Sequence, residues 1–145
     1  MIIDELNEFA NAVDASGAAG TALVGDVIDL GATPHDLGGG KPMYLVVQMD
    51  AAAAGGTSAA FELRSDADVA VADGSLHLSS GAVALASLTE GKTMVFPLPV
   101  KGGATPYERY LGLAVTRVGT FTTLTVNAFL TFDPTHWVSY ADGQN

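Results

Sequence analysis

The chain has 145 residues, 48% of them apolar and only 15% charged, with six basic residues against sixteen acidic ones for a net charge of −10. Length and apolar content set a single domain with a real core and exclude a disordered chain. The acidic balance, with Lys41, Arg64, Lys92, Lys101, Arg109 and Arg117 scattered, excludes a protein that tracks phosphates by charge, so no nucleic-acid partner is expected.

Cysteine is absent, which removes disulfides, thiolate nucleophiles and thiolate metal ligands together and suits a reducing cytoplasm. A charge content well under the roughly 25% of soluble domains suits a surface that lies partly against another protein. The start, Met1-Ile2-Ile3-Asp4-Glu5, carries acid where a secretory signal carries base, and no apolar run reaches membrane-spanning length. The expectation is a soluble protein, not exported by the usual route and with no membrane partner.

Leu6, Phe9 and Val13 stand at helical spacing behind Asp4, a possible cap. The small, glycine-containing run from Ala15 to Ala22 holds a helix poorly. Residues 1–25 are therefore expected as an N-terminal arm lying on a neighbour, with a helix as the alternative. Val24 to Leu30 alternates and reads as the first core strand, followed by a turn-rich loop from Gly31 to Gly40. Pro42 to Met49 is nearly continuous apolar sequence and reads as a central strand.

Farther on, Phe61 and Leu63 point one way while Glu62 and Arg64 point the other. Asp66 to Gly74 is an irregular excursion, Ser75 to Ser79 a short strand, and Ala82 to Leu88 a further strand, with a short helix as the alternative. Two prolines between Lys92 and Pro99 point to an edge position or a strand end. Tyr107 to Phe132 holds two alternating limbs around Val118-Gly119-Thr120, expected to pair as an antiparallel hairpin. Asp133-Pro134 stops the second limb, leaving 133–145 as a tail that packs on the sandwich or on a partner. About seven to nine short strands with regular turn signals predict an all-β fold, a single-domain jelly-roll-like antiparallel β-sandwich over residues 26–132.

Candidate chemistry is sparse. His35, His77 and His136 fall in three distant segments, whereas a metal site needs converging ligands; His77 reads as a strand-surface residue. Asp66-Ala67-Asp68 with Asp73-Gly74 lacks the third ligand and closing Glu of a calcium loop. Gly38-Gly39-Gly40-Lys41 is followed by Pro42 and a strand, not by the Ser or Thr and helix of a phosphate loop. No Ser, His and acid group suggestively. The expectation is no enzyme, no cofactor and no metal.

Glu108 and Arg109, flanked by Tyr107 and Tyr110, form the densest polar-aromatic cluster. Arg109 either packs its stem and forms a salt bridge outward or bonds a partner or fixes a loop. Trp137 and Tyr140 either close the open end of the core or anchor a partner surface. The residues expected at a partner interface are Leu6, Phe9, Glu108, Arg109, Tyr110, Trp137 and Tyr140.

Val27-Ile28-Asp29-Leu30-Gly31, Asp36-Leu37-Gly38 and Pro42-Met43-Tyr44-Leu45-Val46-Val47, with Glu108-Arg109-Tyr110-Leu111 and the closing strand to Phe132, resemble the Bbp16-like family of capsid cement proteins of tailed bacteriophages. The resemblance runs from about Asp26 to Phe132. It implies a jelly roll on the outer surface of an assembled head, tying major capsid protein subunits together, without catalysis or cofactor. It further implies a homo-oligomer, dimer or trimer, assembled in the host cytoplasm and carried on the virion. The alternative is a carbohydrate- or receptor-binding β-sandwich module of a virion, with Phe129 and Trp137 as its exposed aromatics; an enzyme on the same fold lacks its acid, base and metal constellation.

Overall fold

The computed structural model describes residues 5–32, 37 and 40–134. Its alternating stretches form strands β1 Glu8–Asp14, β2 Gly20–Asp29, β3 Tyr44–Met49, β4 Ala54–Gly55, β5 Ser58–Asp66, β6 Ser75–Ser79, β7 Val83–Ala84, β8 Thr93–Pro97, β9 Tyr110–Val118, β10 Phe121–Thr123 and β11 Thr125–Thr131. One sheet has four strands in the order β1-β11-β3-β8. The other runs β2-β9-β5-β6, with β7 continuing along the same side of β5 as β6. Every pairing is antiparallel. Apart from the β5–β6 pair, which stays within one sheet, consecutive long strands alternate between the sheets in the double Greek-key order of a jelly roll. The chain is all-β, as its turn spacing predicts.

The core lies between the sheets because each strand turns alternate side chains inward. Leu45, Val47 and Met49 of β3, Phe61 and Leu63 of β5, Leu111, Leu113 and Val115 of β9, and Val126, Ala128 and Leu130 of β11 meet there. Pro42 to Met49 supplies the expected central strand, paired on both sides. The proline-bearing β8 is the expected edge.

Tyr107 to Phe132 is not a hairpin. β9 pairs with β2 and β5, whereas β11 pairs with β1 and β3. After Gly119 the chain forms β10 against β4, buries Leu124, and crosses to the opposite sheet. The two limbs stack face to face. Each is a central strand with both edges occupied, so neither has a free edge to offer the other.

The N-terminal arm is corrected as well. Glu8–Asp14 is an edge strand of the sandwich paired with β11, so the domain begins near Glu8 rather than at residue 26. Two register shifts and a positive φ of 51° at Ala12 break its alternation, which is why Phe9 and Val13 imitate helical spacing. Ala82 to Leu88 is also less regular than expected: Val83–Ala84 pairs with β5, and Leu85–Ser87 is a single 3₁₀ turn.

The two long seams between the sheets differ. Where β1 faces β2, a Cβ on Gly25 would overlap the Phe9 carbonyl oxygen, so the backbones there nearly touch. Where β8 faces β6 and β7, the seam is a groove of about 490 Å³ lined by Ser80, Val83, Ser87, Met94, Val95 and Phe96, among others.

Candidate functional site

The structure disperses the expected interface residues. Phe9 is 1% exposed and packs in the core, so its side chain cannot face a partner. Leu6 is 78% exposed, in a 3₁₀ turn just ahead of β1. Trp137 and Tyr140, like His35 and His136, lie outside the described residues. Glu108, Arg109 and Tyr110 stay together where the chain enters β9.

Arg109 fixes local structure. Its Nε and Nη2 donate to the two carboxylate oxygens of Asp29 at 3.0 and 2.9 Å, while Leu30 N donates to the Arg109 carbonyl. The pair clasps the end of β2 to the start of β9, and the guanidinium lies 4.9 Å from the Tyr110 ring centroid. Hydrogen bonds from Arg109 and from Gly31 N–H hold the Asp29 carboxyl down at about 2. Both side chains remain 45% exposed, so the clasp faces solvent.

Glu108 is tied in through its backbone. Its N–H donates to Ser65 Oγ at 3.0 Å. Ser65 is fully buried, because it continues the inward series Phe61, Leu63 along β5. Its hydroxyl lies 2.6 Å from His77 Nε2, and His77 Nδ1 lies 2.9 Å from the Gly102 carbonyl. That carbonyl can only accept, so Nδ1 carries a proton, and in the neutral ring the Ser65 hydroxyl then donates to Nε2. The His77 ring stands 4.5 Å from that of Tyr107. The Tyr107 hydroxyl donates to the Pro99 carbonyl, and burial pushes its phenol up to about 12.

His77 is therefore half-buried and turned to the interior rather than standing on the strand surface. Leu78 sits opposite Leu63 and Leu76 opposite Arg64, so His77 is the extra residue of a β-bulge, and the bulge turns it inward. Ser65 and His77 stand in hydrogen-bond contact, a grouping invisible in the linear sequence. The serine is sealed from solvent and already accepts Glu108 N–H, so no substrate can reach it. The cluster pins the 98–109 loop to the five-stranded sheet.

Arg117 and Arg64 are likewise spent within the fold. Arg117 donates to the carbonyls of Ala15, Ser16 and Ala18 at 2.6, 3.0 and 2.9 Å, holding the β1–β2 turn. Arg64 meets Glu62 at 2.8 Å and reaches the Gly74 carbonyl. Thr116 Oγ1 donates to the same Glu62 and contacts Thr21 Oγ1. Among the described residues, no three His, Asp or Glu side chains converge as a metal site. A cleft of about 370 Å³ lined by Glu8, Phe9, Ala10, Asn11, Val13 and Asp26 carries two carboxylates. Phe129, a candidate sugar-binding aromatic, is 1% exposed and offers no platform.

The large apolar side chains on the described surface are scattered: Leu6, Val69, Leu76, Val95, Val100, Val118 and Phe132 are each at least 40% exposed. Of these, Val95 borders a groove. No curated protein matches the chain. The Bbp16 family model matches residues 10–130, a span reaching from within β1 to the next-to-last residue of β11. With the match covering nearly the whole jelly roll, the chain belongs to the Bbp16 family and is a phage-related protein.

Proposed function

We propose that this chain is a capsid cement or decoration protein, seated on the outer surface of an assembled phage head and bridging major capsid protein subunits. The family match over residues 10–130 carries the reading. Physical chemistry supports it. A shell filled with DNA pushes outward, and a rigid body bonded across a subunit boundary resists by adding contact area. A standard interface buries about 1,600 Å², and a dimer or trimer engaging several subunits multiplies its hold.

The role is structural rather than catalytic. Ser65 is sealed from solvent with its hydroxyl committed to His77, and the arginines described above hold strands and turns rather than line a cleft. A net charge of −10 keeps such a protein off the packaged DNA. The test is to heat heads assembled with and without the chain and follow DNA release. Heads carrying it are expected to retain DNA to higher temperature; identical release curves would remove the role.

A further inference from the structure

We propose that β8 is a docking edge that accepts an extended segment of another protein as an added strand, with alternate apolar side chains of that segment filling the β7–β8 groove and an acidic residue meeting Lys92. The proposal rests on the cement reading only in taking that protein to be a capsid subunit.

Backbone geometry comes first. Leu98 N donates to the Met43 carbonyl and Met49 N to the Lys92 carbonyl, so the even positions of β8 face β3. Antiparallel strands alternate, and the N–H and C=O groups of Thr93 and Val95 therefore point to the open side. Pro97 adds a carbonyl there but no N–H.

The other edges are blunted. β1 is bulged twice against β11, β2 is shifted between Val24 and Val27, and β6 is bulged at His77. β8 runs from Thr93 to Pro97 against β3 in unbroken register. Natural sheets disarm their edges with bulges, prolines, charges or covering segments. β8 carries Pro97 at one end, but its register is unbroken and no strand among the described residues pairs with its outer side.

The groove says what chemistry the segment has. Val83, Met94 and Phe96 touch the core yet are incompletely covered, and Val95 is 40% exposed. Side chains entering there complete the core at its open seam. Among the described groove-lining residues Lys92 is the sole charge, a local cation on a chain of net charge −10. Basic segments are drawn elsewhere on such a surface, and an acid at one end of the incoming strand finds its complement here. Pro97 limits the backbone bonds, so the side chains in the groove supply most of the affinity and the selectivity.

Two arms test this. In the first, a labelled synthetic peptide of about six residues, alternating valine and threonine with a glutamate at one end, is titrated into the full chain. Wild type is expected to bind it, with Val95→Pro weakening binding about tenfold or more and Lys92→Glu weakening it several-fold. Val95→Lys repeats the test without proline, and unchanged melting temperatures show that the variants fold. No binding, or equal binding by all variants, overturns the edge. In the second arm, heads lacking the chain are offered each variant. Loss of head binding with Val95→Pro assigns the partner to the capsid; heads that refuse wild type defeat the cement reading and leave the peptide result to stand for the edge. A dimer of the free chain that Val95→Pro converts to monomer would give β8 to a second copy and overturn the assignment to another protein.

Discussion

The two seams of this sandwich solve the same problem in opposite ways. At the β1–β2 seam the edge strands are bulged, a glycine with φ of 66° lets the Phe9 backbone approach, and Arg117 satisfies three carbonyls of the connecting turn. At the β7–β8 seam the edge is regular, the groove is open, and apolar side chains are left half covered. One seam uses irregular backbone to finish the fold; the other keeps regular backbone and leaves the fold unfinished. Irregularity here marks closure, and regularity marks the open side, which is the side proposed to take a partner.

The largest expected effect is therefore at the closed seam. Gly25→Ala sets a Cβ against the Phe9 carbonyl oxygen at a φ that L residues rarely adopt, and the contact is backbone, which cannot swing aside. Overpacking and left-handed strain together predict a loss of about 3 kcal/mol or more, read from urea denaturation. A loss under about 1 kcal/mol would mean that β1 shifts freely and that the seam is not closed by contact. Next comes Arg117→Met, which keeps the apolar stem and strips the donors from Ala15, Ser16 and Ala18. It is expected to cost about 2 kcal/mol and to speed amide exchange in the β1–β2 turn first; uniform exchange across the sheet would contradict a local clamp. At the open seam, Val95→Lys is expected to stay within about 0.5 kcal/mol of wild type. A larger loss would show that Val95 already serves the folded monomer, and the contrast between seams would fail.

That contrast also explains how much of the molecule was legible in the linear chain. Period-two alternation reports which face of a strand is buried, so β3, β5, β6 and the edge position of β8 could be read directly. It does not report which strand lies alongside. β9 and β11 both alternate around a glycine turn, and that pattern is the same whether the strands pair in one sheet or face each other across the core. The helix-like spacing of Phe9 and Val13 had the same root, since bulges add residues that no alternation rule counts. The Ser65–His77–Tyr107 cluster was missed although one signal for it was present. Phe61, Leu63 and Ser65 share a face, and a hydroxyl placed on a core face must find a buried partner. Nothing in the chain, however, announces that a bulge will turn His77 toward it. The β8 edge was half legible: Pro97 and Pro99 marked β8 as an edge, but its openness depends on the 80–87 segment leaving the groove unfilled.

The smallest effect lies at the far end of β2, where Asp29 meets Arg109. The Asp29 carboxyl is held at about 2 against an ordinary 3.8, chiefly by the Arg109 hydrogen bonds and then by Gly31 N–H. A folded-state value below the unfolded one means that the pair contributes fully above pH 3.8 and loses its contribution as pH falls toward about 2. Arg109→Gln removes the larger cause and leaves the Gly31 bond in place. The gap in urea midpoint between wild type and this variant should therefore be small but steady at neutral pH, since both side chains are solvent-exposed, and should narrow as the pH is lowered through that window. The remaining carboxylates titrate in both proteins and largely cancel in the difference. A gap that holds constant from neutral pH down to pH 2 would show that Arg109 stabilises the β2–β9 junction by packing over Tyr110 rather than through the charge of Asp29.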